Sequence, residues 1–293
     1  MTTPAYRGRF APSPTGPLHF GSLVTALASY LEARTRNGEW LVRIEDLDPL
    51  RESPEATEQI LHSLAAHGLH WDGDVRYQSS RLETYRQLAD RLVDRGRAYY
   101  CGCSRKELKA NDGRHPYHCR KGGNTPGERP LAIRFALDDE HAHWHDRILG
   151  GQHQSVRAEV DDPVIIRKER FVAYQLAVVV DDIDQGVTDV VRGSDLLETT
   201  AQQRQIFRAL AGTLPGWAHI PVVLNQQGQK LSKQNHAPAV DDSQPARNLW
   251  HALASLGQRP PRALASDTPS QVLAWATEHW ALDAIPLEHS RVP

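Results

Sequence analysis

A regular alternation of short apolar runs and helical periodicity in the N-terminal third constrains the fold more than any other feature of the sequence. Arg7 to Ala11 reads as a strand, and after a turn rich in Pro and Gly the stretch from Gly21 to Arg36 has apolar side chains at helical spacing. Trp40 to Glu45 is apolar enough for a strand buried on both faces, while Ser53 and Ser80 carry signals for helix starts. Because parallel strands are joined by crossover helices, this order predicts an α/β fold with a parallel sheet of the Rossmann type.

The alternation breaks between residues 99 and 162. This stretch is rich in Gly, His, Pro and Arg, and only Leu131 to Leu137 reads as a clear strand. The α/β pattern resumes at Val164, and from about residue 236 onward the chain looks small and mostly helical. We therefore predict a Rossmann-type domain formed by residues 1–98 and 163–235, an insertion at 99–162 and a mostly helical C-terminal region at 236–293.

Composition and apolar patterning favour a cytoplasmic protein without membrane contact. The chain has 293 residues, 40% of them hydrophobic, which is enough for a substantial core. Its apolar runs, such as Leu176 to Val180, are much shorter than the roughly 20 residues of a membrane helix, and the N-terminus lacks the apolar core of a secretory signal. The net charge of −2 does not indicate a basic nucleic-acid-binding domain, so any RNA-binding surface must be a local patch.

The three cysteines of the chain are clustered with histidines inside the interrupting stretch. The cluster comprises Cys101, Cys103, His115, Tyr117, His118 and Cys119. A disulfide framework would usually pair its cysteines and spread them along the chain. Thiolates together with imidazoles suit tetrahedral zinc, so the cluster predicts a metal site, with free surface thiols as the alternative.

Two separate segments have the properties of phosphate-binding elements. Arg9 to Ser22 lies between a strand and a helix, where backbone N–H groups favour an anion and His19 could donate to a phosphate. Lys230 and Lys233 are three residues apart on a predicted loop, from which they could neutralise charge on a polyphosphate. Taken singly, each segment also fits an ordinary surface turn or a solvated loop.

Together, the two segments resemble the signature elements of class I aminoacyl-tRNA synthetases. His19-Phe20-Gly21-Ser22 is similar to the HIGH element, and Lys230 to Gln234 is similar to the KMSKS loop. Arg9 to Gly21, Arg43 to Asp48 and Val180 to Leu196 resemble the glutamyl subgroup in particular. These ordered matches imply a class I fold and a ligase that forms an adenylate.

The two elements depart from the family pattern only at their last residues. Ser22 stands where the HIGH element has His, and Gln234 stands where the KMSKS loop has Ser. The first histidine and both lysines are retained, so activation chemistry is still expected. The resemblance implies catalytic roles for His19, Lys230 and Lys233, and ATP binding, with Mg²⁺, by His19, Gly21 and Lys233.

Glutamate offers two carboxylates and one ammonium, so a selective pocket needs cations and an anion at fixed positions. A guanidinium can hold a carboxylate through two parallel hydrogen bonds, and a buried carboxylate suits the ammonium. By motif, the resemblance assigns glutamate binding to Arg9, Ser13, Glu45, Tyr174 and Arg192. Which arginine meets which carboxylate stays open, and a structural salt bridge is the alternative for each residue.

The Cys-x-Cys spacing and the stretch from Lys230 to Ala239 resemble a short family of this class, the glutamyl-queuosine tRNA(Asp) synthetases. In that family the zinc ligand four residues before the last cysteine is typically Tyr, and here this position is His115. The resemblance implies a structural Zn²⁺ held by Cys101, Cys103, His115 and Cys119. Tyr117 and His118 remain alternatives for the fourth ligand.

This resemblance also implies substrates and partners. The family activates L-glutamate with ATP and transfers it to queuosine in the anticodon of tRNA(Asp), and we expect a monomer. The stretch from Gln234 to Pro293 is short for an anticodon-binding domain, which favours this reading. A truncated glutamyl-tRNA synthetase that charges the 3′ end of tRNA(Glu), a non-catalytic tRNA-binding relic, and an adenylate-forming enzyme with a non-RNA acceptor are the alternatives. The resemblance further implies that the Rossmann-type domain is the catalytic domain and that the insertion carries the zinc site.

Overall fold

A computed structural model of the chain describes residues 5–112, 114–122, 124, 127, 130–225, 228, 230–231 and 237–291. Within them, the helices are α1 (Phe20–Arg34), α2 (Pro54–Ala66), α3 (Leu82–Asp94), α4 (Arg105–Lys109), α5 (Tyr174–Asp184), α6 (Thr200–Ala209), α7 (Pro245–Ser255) and α8 (Pro269–His279). The strands are β1 (Arg7–Phe10), β2 (Glu39–Ile44), β3 (Arg76–Tyr77), β4 (Ala98–Cys101), β5 (Ala132–Phe135), β6 (His141–Asp146), β7 (Gly150–Ser155), β8 (Val164–Ile166), β9 (Asp189–Gly193), β10 (Gly216–Ile220), β11 (Val222–Val223) and β12 (Ser290–Arg291).

Parallel strands form the centre of the molecule. β1, β2 and β3 pair in parallel, and β9 pairs in parallel with β10. The two groups meet where the Thr188 N–H donates to the Arg7 carbonyl at 3.0 Å, so β9 lies beside β1. The predicted α/β fold with a parallel sheet is therefore confirmed, as is the helical C-terminal region.

Local sequence signals explain most helix boundaries. α1 buries Leu23, Leu27 and Leu31 on one face, as their spacing predicts. α2 starts where predicted, because the Ser53 hydroxyl accepts the Ala56 N–H at 3.1 Å and Pro occupies the first helical position. The predicted capping box at Ser80 is wrong. Its hydroxyl instead donates to the Tyr77 carbonyl in a 3-10 turn, and α3 begins two residues later.

The stretch from 99 to 162 contains more sheet than its composition indicates. β4, β5 and β8 form an antiparallel sheet, with Cys101 as the last residue of β4, Cys103 just after it and Cys119 in a later 3-10 turn. β6 and β7 form a hairpin that the sequence reading missed, and β6 joins β10 with Asp146 beside Trp217. Pairing therefore crosses the predicted limits at 98 and 163, and the domain limits remain a prediction.

The C-terminal region packs against the N-terminal helix and ends in a separate two-stranded sheet. Leu249 and Leu253 of α7 share a core with Leu23 and Leu27 of α1. After α8 the chain returns to β11, with which β12 pairs in parallel. In the described part of the chain, no helix is long and apolar enough to cross a membrane.

Candidate active site

A cavity of about 670 Å³ opens at the carboxyl ends of β1 and β9, beside the N-terminus of α1. This is where ligands bind in open parallel α/β sheets. The predicted substrate-binding residues among its lining are Arg9, Ser13, His19, Gly21, Glu45, Tyr174, Arg192 and Lys230. Lys233 and Gln234 lie outside the described residues.

The N-terminus of α1 presents hydrogen-bond donors to this cavity. His19 is the N-cap residue, and its Nδ1 accepts the Ser22 N–H at 3.2 Å. The neutral ring therefore carries its proton on Nε2, which lies 3.0 Å from the Ser22 hydroxyl. Ser22, the residue that departs from the HIGH pattern, thus contacts the histidine that is retained. A ring N–H beside a helix N-terminus suits a phosphate.

The start of the KMSKS-like loop lies at the rim of the cavity. The Leu231 N–H donates to the Val223 carbonyl at 2.8 Å, which ties the loop to β11. The Lys230 ammonium donates to Asp195, just after β9, with a distance of 2.6 Å between Nζ and Oδ2. Both side chains are partly exposed, so this ion pair can exchange for a phosphate contact at little cost.

Arg9 is buried and tied to α5. Its Nε and Nη2 donate to the two oxygens of Asp182 at 3.0 and 3.3 Å, and Arg43 Nη2 donates to Oδ1 of the same carboxylate at 2.8 Å. Burial by itself would raise the pKa of Asp182, but the two guanidinium groups hold it below its ordinary value. Asp182 therefore stays ionised and fixes the position of Arg9.

Glu45 is a buried carboxyl with an unsatisfied oxygen. Its Oε1 has no hydrogen-bond partner among the described residues, and the nearest cation, Arg43 Nη2, is 3.7 Å away. Burial raises the pKa of Glu45 to about 7, although Arg43 and Arg9 oppose the shift. A buried carboxyl with a free acceptor on the cavity wall suits an ammonium group.

Arg192 also lines the cavity, and none of the hydrogen bonds that the structure describes for it is to a carboxylate. Among the described residues its hydrogen bonds go to neutral groups: His219 Nε2 at 3.0 Å, Gln203 Oε1 at 2.7 Å, Thr200 Oγ1 at 3.0 Å and the Leu196 carbonyl at 3.1 Å. Burial lowers the pKa of Arg192, and repulsion from Arg9 acts in the same direction. A buried guanidinium held by neutral acceptors favours an anionic ligand.

Tyr174, the first residue of α5, lies within electrostatic reach of Arg192, Glu45 and Arg9. Burial raises the pKa of its phenol, while Arg192 lowers it. The hydroxyl therefore keeps its proton near neutral pH and can donate to a substrate oxygen.

The cysteine cluster lies apart from this cavity, after β4. The ligand atoms of Cys101, Cys103, His115 and Cys119 all lie within 4.8 Å of one another, and the four residues are buried. His115 Nε2 is buried without a hydrogen-bond partner among the described residues. Burial raises the pKa of the Cys103 thiol to about 12, and the neighbouring cysteines add to the shift, so only a bound cation would favour thiolates here. This donor set fits zinc.

The two alternative ligands lie close to the same cluster. His118 Nε2 is 3.6 Å from Cys103 Sγ, which suits a hydrogen bond to a thiolate. The Tyr117 hydroxyl is buried without a described partner, and Arg157 covers its ring at 4.6 Å. His115 Nδ1 lies 3.2 Å from the Tyr99 hydroxyl, which donates to Asp162 and so can accept an Nδ1 proton; this tautomer leaves the Nε2 lone pair for a metal.

Comparison with known proteins identifies the family. A sequence model of the family described as tRNA synthetases class I (E and Q), catalytic domain, matches residues 5–249. The glutamyl-Q tRNA(Asp) synthetase of Chromobacterium violaceum is 48% identical over 100% of this chain and 99% of that protein. The chain belongs to the glutamyl-Q tRNA(Asp) synthetase family. Its relative of the same name in Dechloromonas aromatica is 49% identical over 98% of this chain and 97% of that protein.

Solved structures give the fold of this family member independently. A glutamate tRNA ligase from Elizabethkingia meningosepticum, in complex with its amino acid, matches with a TM-score of 0.81 and 24% identity, covering 98% of this chain and 67% of that chain. At this identity the likeness shows the fold alone. The predicted enzyme class, a class I aminoacyl-tRNA synthetase-like ligase, is confirmed by the family, and this class implies ATP and Mg²⁺.

The sequence reading did not assign several buried residues that shape the cavity of this synthetase. Asp182 lay inside a matched segment, Val180 to Leu196, and could have been singled out there. His219 and Asp146 carried no signal, because their role depends on contacts between strands that are distant in sequence.

Proposed function

We propose that this protein activates L-glutamate with ATP to glutamyl-adenylate and transfers the glutamyl group to queuosine in the anticodon of tRNA(Asp). The observation that carries the proposal is the charge pattern of the cavity. Arg192 lacks a carboxylate partner among the described residues, and Glu45 has an oxygen without a described partner, so one wall favours an anion and another favours a cation. Glutamate has both charges, and the relatives are named glutamyl-Q tRNA(Asp) synthetases.

Each proposed glutamate-binding residue has a distinct task. Glu45 accepts the ammonium, and the phenol of Tyr174 donates to a carboxylate oxygen. Arg192 binds one carboxylate, while Arg9 binds the other through the N–H groups that Asp182 does not occupy. Ser13, which follows β1 on the cavity wall, adds a hydroxyl.

The first chemical step needs little beyond positioning and charge stabilisation. A glutamate carboxylate oxygen forms a bond to the α-phosphorus of ATP as the bond to pyrophosphate breaks, and no general base is required because the nucleophile is already ionised. His19, at the N-terminus of α1, donates to the phosphates, and Gly21 lets them approach the backbone. Lys230 and Lys233, together with the Mg²⁺ that accompanies ATP, offset the growing negative charge.

In the second step a ring hydroxyl of queuosine attacks the activated carbonyl, and AMP leaves. A base that reacts in a cavity must be splayed out of its loop, as is common in RNA recognition.

The structural Zn²⁺ is proposed to be held by Cys101, Cys103, His115 and Cys119. Four protein ligands leave no open coordination position, so this ion would stabilise the fold around β4 without entering the reaction. We place the reaction in the cytoplasm.

Two assays on the purified protein test the proposal. Pyrophosphate exchange into ATP should require glutamate, should need no tRNA, and should fail with aspartate or glutamine. Labelled glutamate should then become attached to tRNA(Asp) that contains queuosine and not to tRNA(Asp) from cells unable to make queuosine, whose 3′ end is intact. Efficient charging of tRNA(Glu), or equal labelling of both tRNA(Asp) samples, would identify a truncated glutamyl-tRNA synthetase instead.

A further inference from the structure

A buried row of three side chains connects the proposed glutamate site to the hairpin β6–β7. Arg192 Nε donates to His219 Nε2 at 3.0 Å, and His219 Nδ1 lies 2.6 Å from Asp146 Oδ2. His219 and Asp146 are fully buried, and neither lines the cavity. The row therefore acts on a ligand only through Arg192.

The hydrogen bonds of this row fix one tautomer of His219. A guanidinium can only donate, so Nε2 must present its lone pair to Arg192. The proton of the neutral ring then resides on Nδ1, where it is donated to Asp146. A second proton on Nε2 would place two donors face to face. Burial favours the neutral ring, because it lowers the pKa of His219 although Asp146 opposes the shift.

Asp146 is held in a single orientation by backbone groups. Its Oδ1 accepts the N–H groups of Ile148, Leu149 and His219 at 3.1, 2.9 and 3.2 Å. These donors come from the turn of the hairpin and from β10, so the carboxylate cannot rotate without losing all of them. In the described part of the chain, its other oxygen has His219 as its one hydrogen-bond partner.

We propose that His219 is a positioning residue for substrate glutamate. Asp146 holds its ring as the Nδ1–H tautomer, so that Nε2 accepts the Arg192 Nε–H and orients the guanidinium plane toward the substrate carboxylate. Gln203 and Thr200 of α6 hold the other edge of the same guanidinium. This inference rests on the proposed glutamate-binding role of Arg192.

Two substitutions of His219 separate its two hydrogen bonds. In His219→Gln the amide oxygen can reach the place of Nε2 and accept from Arg192, but the donor to Asp146 is lost. In His219→Asn the amide nitrogen can replace Nδ1 and donate to Asp146, but nothing reaches Arg192. Both variants should therefore melt at a lower temperature than the wild type, since each loses one buried hydrogen bond.

The KM for glutamate in pyrophosphate exchange should distinguish the two variants. We expect His219→Asn to raise this KM about tenfold, the worth of a hydrogen bond to a charged group, with the KM for ATP unchanged. His219→Gln should keep a KM close to that of the wild type. A purely structural role for His219 would change the KM for glutamate equally in both variants, and that result would overturn the proposal.

Asp146→Asn provides a second test, because it should force the wrong tautomer. Three backbone N–H groups keep the amide oxygen on their side, so the amide NH₂ faces His219 and requires Nδ1 to accept. The Nε2–H then opposes the Arg192 Nε–H, and the KM for glutamate should rise at least as far as in His219→Asn. A similar change of tautomer explains the inactivity of a well-studied serine protease variant, in which the triad aspartate is replaced by Asn. An unchanged KM in Asp146→Asn would contradict the proposal.

His67 offers a matched control. It is also fully buried, with hydrogen bonds to the Ser63 carbonyl at 2.7 Å and to Asn248 at 3.0 Å, and neither of these partners lines the cavity. His67→Asn should lower the melting temperature and leave the KM for glutamate unchanged. A rise in that KM equal to the rise in His219→Asn would show that the effect is not specific to the row.

The last test uses wild-type protein, so it can be carried out even if a variant does not fold. Nitrogen-15 NMR of the His219 ring should show a protonated Nδ1 and an unprotonated Nε2, and the opposite pattern would overturn the proposal. Different results would refute the proposed function and the positioning role of His219. Wild-type protein without glutamate-dependent exchange would refute the proposed function, whereas normal wild-type exchange with equal KM values in His219→Asn and His219→Gln would refute only the positioning role.

Discussion

Glu45 carries a negative charge only after losing a proton that burial makes costly to remove. Its pKa is raised to about 7, so the folded protein holds this proton more tightly than the unfolded chain does. The contribution of this group to stability is therefore present at low pH and is lost as the pH rises from about 4 to 7. Glutamate binding should have the opposite dependence, because the ammonium requires the ionised carboxylate.

We expect the KM for glutamate in pyrophosphate exchange to rise about tenfold for each pH unit below 7 and to be flat above 8. Glu45→Gln should have a higher KM at neutral pH and should lose this dependence. The measurement is the KM for glutamate between about pH 5.5 and 8.5, with the KM for ATP as the internal control. A variant that keeps the wild-type slope would exclude Glu45 as the titrating group.

Asp182 is the carboxylate that pairs with two buried arginines of the site. It neutralises Arg9 and Arg43, both buried, so Asp182→Asn would leave each guanidinium without its closest carboxylate. We expect the free energy of unfolding to fall by about 3–5 kcal/mol at pH 7. Because the pKa of Asp182 is lowered in the folded state, its contribution is present above about pH 4 and is lost at lower pH.

Urea denaturation between pH 7 and 3 would test this expectation, since the stability difference between wild type and Asp182→Asn should shrink with falling pH. Asp138→Asn is the matched control. Asp138 also pairs with an arginine, Arg97, but its side chain is 62% exposed, so the loss should stay within about 1 kcal/mol. An equal loss of stability in both variants would show that burial of the carboxylate does not decide the effect.

At the scale of elements, α1 combines a structural cap with a proposed phosphate donor in one side chain. His19→Asn should keep the cap, because Asn is among the best N-cap residues, whereas His19→Ala should cost about 1 kcal/mol of stability. Both variants lose the ring Nε2–H and should slow pyrophosphate exchange by about a hundredfold. Thr268→Ala at the start of α8 removes a cap that does not line the cavity, so it should lower stability and leave exchange unchanged.

The segment that carries the proposed zinc site has little apolar packing of its own. Its small buried cluster consists of Tyr99 and the three cysteines. We expect elemental analysis of protein purified without chelator to find about one zinc per chain, and metal-free, fully folded protein would contradict the site. His115→Ala should weaken zinc binding more than Tyr117→Phe, and the reverse order would show that the phenol is the fourth ligand.

The helices and strands were predicted correctly where the sequence signal was local. Strand β2 and the cap of α2 follow from hydrophobicity and from one hydroxyl in the right place. The hairpin β6–β7 was missed because His141–Asp146 alternates His with Ala, Trp and Asp, and its partner β10 lies some 70 residues further along the chain. The capping signal at Ser80 failed because the 3-10 turn gave that hydroxyl a nearer acceptor.

At the scale of the whole molecule, the site likewise contains residues with a local sequence signal and residues whose role depends on long-range contacts. The motif resemblance singled out Arg9, Glu45 and Arg192, and the fold gathers them around one cavity, where their roles remain proposals. Of the residues that hold them in place, Asp182 lies in a matched segment and His219 lies in none, and no motif pairs either of them with its arginine. Asp182 reaches Arg9 from α5, and His219 reaches Arg192 from β10, so their importance exists only once the strands are assembled.

The C-terminal strap, residues 287–291, closes this assembly by returning to the cavity wall. The His289 carbonyl accepts the Val222 N–H at 3.1 Å and also the Ser194 hydroxyl. Val222 and Val223 of β11 line the cavity, and β11 pairs with β12 of the strap. The contacts that the structure describes with β11 and Ser194 are made by backbone groups of the strap, so its sequence should matter less than its presence.

Truncation after Pro286 should therefore uncover β11 and loosen the loop that begins at Lys230. We expect the free energy of unfolding to fall by about 1 kcal/mol for each hydrogen bond lost, and the KM for ATP to rise while zinc content stays constant. His289→Ala and Leu287→Ser are the controls. His289 contributes only its carbonyl to the contacts described, and Leu287 is 70% exposed, so neither variant should differ from the wild type. A truncated protein with unchanged stability and KM for ATP would show that β11 holds the cavity wall without the strap, and an effect of His289→Ala would show that its side chain matters after all.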